Sequence, residues 1–195
     1  MARPGRAEPD AFPIRLDGGA ALRVAAAFVA ALAVWFAFAT PYEKTLAAAA
    51  QVAIRAFERP AATRLDAVGG EIRVDRSDFP PDSARPGLPA ADLHFNFALL
   101  AALFALPPHP LRQANFGRFW LAAVLLWAVH VLALVFQVES VYATRLGPWS
   151  AEHYGAVARN FWAAGFHFYQ ILGRFAAPFV LWWGVGRVGQ KPAGK

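Results

Sequence analysis

Long apolar runs separated by short polar segments dominate the pattern of the chain. The first, Val24 to Ala39, contains no charged residue, and with the apolar residues at 20–22 it reaches the length of about 17 to 25 residues that a helix needs to cross a bilayer. The run at 93–108 is shorter, because Pro107 ends its apolar part early. Such short segments can be re-entrant or buried instead of spanning the membrane. The pattern predicts four transmembrane helices, at about 20–39, 93–108, 119–137 and 160–185.

The segment after the first run carries the signals of a new helix. Thr40 can act as the N-cap, Pro41 suits the first helical position, and Glu43 can complete a capping box. From there apolar and polar residues fall on opposite faces until Pro60, which is typical of an amphipathic helix that lies along a membrane surface. The sequence therefore predicts such a surface helix at 41–59.

A change of period to two marks the next element. Between residues 63 and 76, apolar and charged positions alternate on both sides of Gly69-Gly70, as expected of two strands joined by a tight turn. We expect a small β-hairpin at 63–76, followed by a Pro-rich connector from Phe79 to Pro89. This hairpin and the surface helix belong to one outward-facing segment, 40–92.

The distribution of positive charge predicts the orientation. The N-terminal tail 1–23, the turn at 107–118 and the C-terminus together carry nine Lys and Arg, whereas the 138–159 connection carries two. Basic residues favour the cytoplasmic side of a membrane. The sequence thus predicts a basic cytoplasmic tail, 1–23, and a single membrane domain, 24–195, with both termini in the cytoplasm.

Composition narrows the classes of function. Of the 195 residues, 57% are hydrophobic and 16% charged, against about 45 to 50% and about 25% in soluble domains, which favours a membrane protein. The formal net charge of +6 sits at the ends of the apolar runs instead of on one basic face, so it does not indicate nucleic-acid binding. Cysteine is absent, which excludes disulfides, thiolate metal sites and a thiol nucleophile.

The first apolar run has a second interpretation, a cleaved signal peptide. Ala37-Phe38-Ala39 has the small-x-small form of a cleavage site after an apolar stretch. Against this interpretation, the tail that leads into the run is long, and bulky Trp35 and Phe36 stand where a peptidase prefers small residues.

Six polar side chains inside the third and fourth runs are the candidate functional or partner-binding residues. Polar groups at bilayer depth are costly and are therefore often functional. Those of the fourth run fall within a stripe roughly 80° wide on a regular helix. His130 and His167 each lie roughly 10 Å below the outer boundary, so adjoining antiparallel helices would bring them level. The candidates are His130, Gln137, Asn160, His167, Gln170 and Arg174.

Two interpretations of these residues stay open. Pro178 cannot donate a hydrogen bond to the carbonyl of Arg174, which predicts a kink and a free carbonyl there. The stripe either holds helices together through interhelical hydrogen bonds or lines a cavity that receives an anionic or peptide group.

As a catalytic set the six residues are incomplete. No carboxylate, Cys or Ser-containing motif accompanies them within the runs, although general acid–base and nucleophilic catalysis depend on such partners. The two histidines lack a third metal ligand, and a proton-coupled carrier usually needs an intramembrane Asp or Glu. The sequence therefore predicts no catalytic residue, no cofactor and no metal.

The order of features resembles that of the exosortase H-associated membrane proteins of bacterial protein-sorting systems. The resemblance rests on an N-terminal span, an outward segment with a strand pair, and His94–Leu100 leading into a short span. It continues through Phe119–Gln137 and through Phe168–Leu172, which precedes a proline-containing final span. It covers most of the chain as a layout and includes no sharp motif.

The resemblance implies a location in the bacterial inner membrane, next to an intramembrane transpeptidase that recognises a C-terminal sorting signal. Such enzymes are expected to use a Cys with Arg and His, so this chain, which lacks Cys, is not the transpeptidase by that chemistry. The expected function is a non-enzymatic accessory protein that contacts the bilayer and either an exosortase-like transpeptidase or its sorted substrates. The alternative is a small membrane enzyme or transport component that uses the intramembrane His/Arg cluster.

The predicted fold is mainly α. It is an integral membrane bundle of four transmembrane helices with an amphipathic surface helix and a small extracytoplasmic β-hairpin. The sequence does not identify the substrate, the partner or the oligomeric state.

Overall fold

The computed structural model describes residues 18–79, 85–107 and 109–186. Within these ranges the fold is mainly helical, with one small sheet. The helices are α1 Gly18–Phe57, α2 Ala91–His94, α3 Phe97–Phe104, α4 Gln113–Thr144, α5 Pro148–His153, α6 Ala156–Phe168 and α7 Arg174–Gly186, with a π-helical segment, Tyr169–Gly173, between the last two. The strands are β1 Thr63–Val68, β2 Glu71–Arg76 and β3 Gly87–Pro89.

Helix α1 is one continuous helix of 40 residues, about 60 Å long at 1.5 Å per residue. The sequence predicted a break at Thr40 and a separate surface helix at 41–59, but Pro41 lies inside α1. A proline inside a helix removes one backbone hydrogen bond and disturbs one turn. Burial of Leu46 and Ile54, both 0% exposed, offsets that loss because this half of α1 packs on the sheet and on α4.

Residues 1–17 of the predicted tail lie outside the described residues. Helix α1 begins at Gly18, so residues 18–23 of that tail are helical and the first predicted span, about 20–39, begins inside α1. The amphipathic character predicted for 41–59 is present, since one face of this part is buried, but it belongs to the second half of α1.

The predicted hairpin at 63–76 is confirmed as β1 and β2. Val68 pairs with Glu71 across the turn, and Gly69 and Gly70 have positive φ angles of 63° and 80°, a backbone conformation that glycine adopts readily. Gly87–Pro89 adds a third antiparallel strand on β2, which the sequence had assigned to a connector. Residues 80–84 of that connector lie outside the described residues.

Among the described residues, two helices are long and apolar enough to cross a membrane by length and composition, α1 and α4. The sequence predicted four spans. The 93–108 run forms an apolar helical stretch only at 91–104, interrupted near Asn96, so it covers about 21 Å at 1.5 Å per residue. The 160–185 run is helical, but the π-helical segment divides it.

Two apolar cores hold these elements together. The larger core joins the second half of α1, the sheet and the second half of α4, and the smaller joins α3, the first half of α4 and the end of α7. Helices α4 and α6 approach closely at Gly165, where an added Cβ would lie 2.2 Å from the Phe136 ring. Helices α2 and α3 are separated by Phe95 and Asn96, and this break lies between the two cores.

Candidate functional site

His130 is the centre of a buried hydrogen-bond network. Its ring is 0% exposed. Nδ1 lies 2.7 Å from the Tyr42 hydroxyl on α1, and Nε2 lies 2.9 Å from Oδ1 of Asn96. Both ring nitrogens are therefore occupied by protein partners.

The other end of the network fixes the direction of every hydrogen bond. Nδ2 of Asn96 donates to the Arg174 carbonyl at 2.8 Å, and a carbonyl can only accept. Oδ1 of Asn96 must then accept from His130 Nε2–H, so Nδ1 of the neutral imidazole accepts from the Tyr42 hydroxyl. The network thus runs in one direction through Tyr42, His130 and Asn96 to Arg174, and it joins α1, α4, the α2–α3 break and α7.

The acceptor at the end of this network is the carbonyl that the sequence predicted to be free. Pro178 lies inside α7 and cannot donate to the residue four positions earlier, which is Arg174. Asn96 supplies the missing donor. The proline and the asparagine together therefore lock the final helix to the short α2–α3 unit.

A second buried group lies beside the network and includes a carboxylate. Trp35 Nε1 donates to Nδ1 of His94 at 2.6 Å, which places the proton of the neutral imidazole on Nε2. That atom lies 3.3 Å from Oε1 of Glu43. The side chain of His94 is 0% exposed and that of Glu43 is 5% exposed. Glu43 lies outside the four predicted runs, so the search for carboxylates within those runs did not reach it.

The structure does not bring His167 to His130. His167 and Asn160 are both exposed on α6, whereas Tyr169, in the π-helical segment, is 6% exposed. A π-helical turn contains more residues than an α-helical turn, so positions beyond it are rotated relative to a constant 100° per residue. The predicted single stripe is therefore divided between two faces.

The side chains of the remaining candidates lie apart from the His130 network. Gln137 is 6% exposed, and its Oε1 has no hydrogen-bond partner among the described residues. Gln170 Oε1 accepts from Nη1 of Arg174 at 3.3 Å, and the guanidinium of Arg174 lies over the rings of Phe95 and Phe175, at 5.8 and 4.8 Å. The side chain of Arg174 is thus held by aromatic rings and by Gln170, while its carbonyl belongs to the network.

Outside the apolar helical region, Arg76 at the end of β2 organises a charged cluster. Its guanidinium donates to Glu58 and, at 2.8 Å, to Asp78. Burial alone would lower the pKa of Arg76, but the hydrogen bond to Asp78 and the charge of Glu58 raise it above its usual range. The hydrogen bond from Arg76 lowers the pKa of Asp78. Three aromatic rings surround the guanidinium at 5.0 to 6.0 Å, those of Phe79, Tyr142 and Trp149.

The geometry favours structural roles for the buried network. Every polar atom of His130 and Asn96 named above has a protein partner, so neither residue presents a free base to a substrate. The described residues contain no group of three or more His, Cys, Asp or Glu side chains that could hold a metal ion. His94 differs, because its ring also lines a cavity between α1, α3 and α4.

Sequence reasoning missed the roles of five residues in these groups. Glu43 was interpreted as part of a capping box, and Tyr42 beside it was given no role. His94 and Asn96 were noticed only as part of the resemblance, although two polar residues at the head of a short apolar run are themselves a signal. Tyr169, whose hydroxyl donates to the Leu93 carbonyl at 2.6 Å, was likewise noticed only there.

Comparisons with known proteins add no family to this description. No family model, curated protein or solved structure matches the chain.

Proposed function

We propose that this chain is a non-enzymatic accessory protein of the bacterial inner membrane. It docks a membrane partner through the exposed face of α6 and α7, which points away from the other helices. In this proposal α1, the 91–104 stretch, α4 and the 156–186 helical run enter or cross the membrane. The tail and the C-terminus are cytoplasmic, and the sheet lies on the outer side.

Membrane embedding is supported by the apolar surface of α1. In its most apolar window of 18 residues only 6% are buried, so this helix is not the core helix of a soluble domain. Phe36 and Phe38, for example, are 74% and 62% exposed. Apolar surface of this extent is normally covered by lipid or by another protein.

The observation that carries the docking proposal is the exposure of His167. Apolar residues that follow it along the chain are also exposed, with Phe168 at 64% and Ile171 at 75%. A histidine that faces hydrocarbon lacks hydrogen-bond partners, which is costly, and intramembrane histidines usually face protein. A partner helix packed on this face would supply that hydrogen bond.

The class of partner follows from the resemblance in layout. An accessory protein of an exosortase-type sorting system would contact either the transpeptidase or the transmembrane helix of a sorted substrate. The outer sheet is fixed to the same rigid α1 that crosses the apolar region, so contacts on the outer side and within the membrane would have a constant spacing. This arrangement suits a protein that positions one membrane partner.

Site-specific photocrosslinking tests this proposal. A photoreactive amino acid at Ala164, exposed between Asn160 and His167 on α6, should form an adduct either with a multispanning protein that contains Cys, Arg and His or with the transmembrane helix of a sorted substrate. The same probe at Leu132, which is 56% exposed on α4, is the matched control and should label lipid only. Equal labelling at both positions, or an Ala164 adduct that His167→Leu leaves unchanged, would contradict the docking face.

A second candidate function, proton-coupled transport or enzymatic chemistry, has one observation in its favour. Glu43 and His94 form a buried carboxylate–imidazole pair, and His94 lines a cavity. If this pair carries protons, Glu43→Gln should abolish a proton flux measured with protein reconstituted in vesicles. No flux from the wild-type protein in the same vesicles would count against this function.

A further inference from the structure

The cavity beside His94 lies between the two helices that are long enough to cross a membrane. It measures about 260 Å³ and is lined from α1, from α4 and from the α2–α3 unit. Three indole rings form much of its wall, those of Trp35, Trp120 and Trp127. The cavity is therefore a hollow in the apolar part of the fold and not a gap in the outer sheet region.

The rim of the cavity faces the surroundings of the helices. Val34 and Phe38 on α1 are 53% and 62% exposed, and Val124 on α4 is 60% exposed. All three line the cavity. With α1 and α4 in a membrane, as the proposed function requires, the opening faces the hydrocarbon of the bilayer.

The lining offers almost no polar atom to an occupant. Nδ1 of His94 accepts from Trp35, Nε2 of His94 is buried 3.3 Å from Oε1 of Glu43 without a hydrogen bond, and the Tyr42 hydroxyl is bonded to His130. Water in a cavity needs about two to four polar partners, so water is a poor occupant. A polar solute would lose its hydration without compensation.

We infer that this cavity binds one acyl chain of a membrane phospholipid, with the headgroup left outside it. The inference rests on the proposed membrane location. A hydrocarbon chain carries no hydration to lose when it leaves the bilayer for an apolar wall, and it supplies the dispersion contacts that the three indole rings would lack in an empty cavity. The bound chain would then support the wall that carries the Trp35–His94 hydrogen bond.

Lipid titration of the delipidated protein, followed by native mass spectrometry, tests this inference. Dioleoylphosphatidylglycerol should bind with one site tighter than the rest, whereas dihexanoylphosphatidylglycerol, which has the same headgroup, should show no such site. Two variants fill the cavity from opposite walls, Ala123→Leu from α4 and Val34→Phe from the rim of α1. Each narrows the cavity by several heavy atoms, so the tight site should weaken severalfold because fewer dispersion contacts with the indole walls remain.

Leu132→Phe is the matched control, because it adds bulk to α4 at an exposed position outside the cavity lining, and it should bind as the wild type does. Circular dichroism and size-exclusion chromatography identify a filling variant that fails to fold, and the other filling variant then decides. Equal binding by the wild type and a folded filling variant would overturn the inference, as would equal binding of the short-chain lipid. Loss of the Ala164 photocrosslink in the filling variants with unchanged lipid binding would also overturn it, since the cavity would then hold a partner side chain.

The proposed membrane location fails separately from this inference. If alkaline carbonate extracts the wild-type protein from membranes, both the membrane location and the acyl-chain inference are wrong. If the wild-type protein stays in the membrane but shows no tight acyl-chain site, only the acyl-chain inference is wrong.

Discussion

The His130 network and the Arg76 cluster both join distant parts of the chain, but they use different chemistry. In the network, a hydroxyl, a neutral imidazole, an amide and a backbone carbonyl are connected in one direction. In the cluster, a guanidinium is paired with two carboxylates, those of Glu58 and Asp78. The network lies in the apolar helical region, and the cluster lies beside the sheet.

This difference follows from the cost of burying charge in the two places. A neutral network needs no compensating ion, provided that each donor and acceptor has a partner. A buried ion pair needs additional hydrogen bonds, and Glu58 receives them from the backbone N–H and hydroxyl of Thr63, at 2.9 and 2.7 Å. Salt therefore acts on the charges of the cluster and has no charge to act on in the network.

Loss of Arg76 should have the largest effect. Arg76→Leu leaves Glu58, whose side chain is 9% exposed, as a buried carboxylate without its cation, and breaking such a pair costs about 3 to 5 kcal/mol. The free energy of unfolding, measured by titration from a mild detergent into a denaturing one with tryptophan fluorescence, should fall by that amount.

The control for this prediction is the exposed pair of Arg85 with Asp75. Its side chains are 47% and 32% exposed, and exposed pairs contribute about 0 to 1 kcal/mol. Arg85→Leu should therefore change the free energy of unfolding little. Similar losses for Arg76→Leu and Arg85→Leu would show that burial of the cluster is not what stabilises it.

Loss of Asn96 should have the next largest effect. Asn96→Leu leaves His130 Nε2–H and the Arg174 carbonyl without partners, and each unsatisfied buried group costs about 1 to 3 kcal/mol. The same titration should show a loss of about 2 to 5 kcal/mol. Asn160→Leu, at an exposed position on α6, is the control and should stay within about 0.5 kcal/mol of the wild type.

Unlike the Arg76 variant, Asn96→Leu should lose the same amount of stability at low and high salt. Its network contains no charged group, so ionic screening has nothing to act on. A salt-dependent loss in Asn96→Leu would contradict the distinction between the two regions.

Local signals in the sequence were sufficient for the hairpin and for the free carbonyl. Gly69-Gly70 specifies its turn without help from the rest of the chain, and Pro178 frees the Arg174 carbonyl whatever surrounds it. The break predicted at Pro41 rested on an equally local capping signal, yet tertiary packing of α1 on the sheet overrode it. Local patterns are therefore reliable here only where no packed surface competes with them.

The partners in the site were harder to predict. The π-helical segment changes the phase of the last helix, so a constant 100° per residue placed His167 on the same face as Arg174. The pairing of Glu43 with His94 joins residues 51 positions apart, and no periodicity in the sequence encodes such a contact. The sequence could therefore identify the polar residues, but not the directions in which their side chains point or the partners that they contact.

Removal of the Tyr42 hydroxyl should have a smaller effect. Tyr42→Phe keeps the ring but leaves His130 Nδ1 as an unpaired acceptor, which costs about 1 to 2 kcal/mol. The titration should show this loss, and Tyr42→Phe combined with Asn96→Leu should lose less than the sum of the single losses, because both variants disrupt one network. Additive losses would show that the hydroxyl and the amide act independently.

The smallest effect is expected from the protonation of Asp78. The pKa of Asp78 is held below its usual range by its hydrogen bond with Arg76, so its contribution is present above the ordinary aspartate pKa and is lost as the pH falls through the lowered value. The melting temperature of the wild type should therefore fall on acidification from about pH 6 through the aspartate range. Asp78→Asn, which cannot titrate, should start lower and lose less over the same interval. An unchanged slope in Asp78→Asn would show that other groups cause the acid sensitivity.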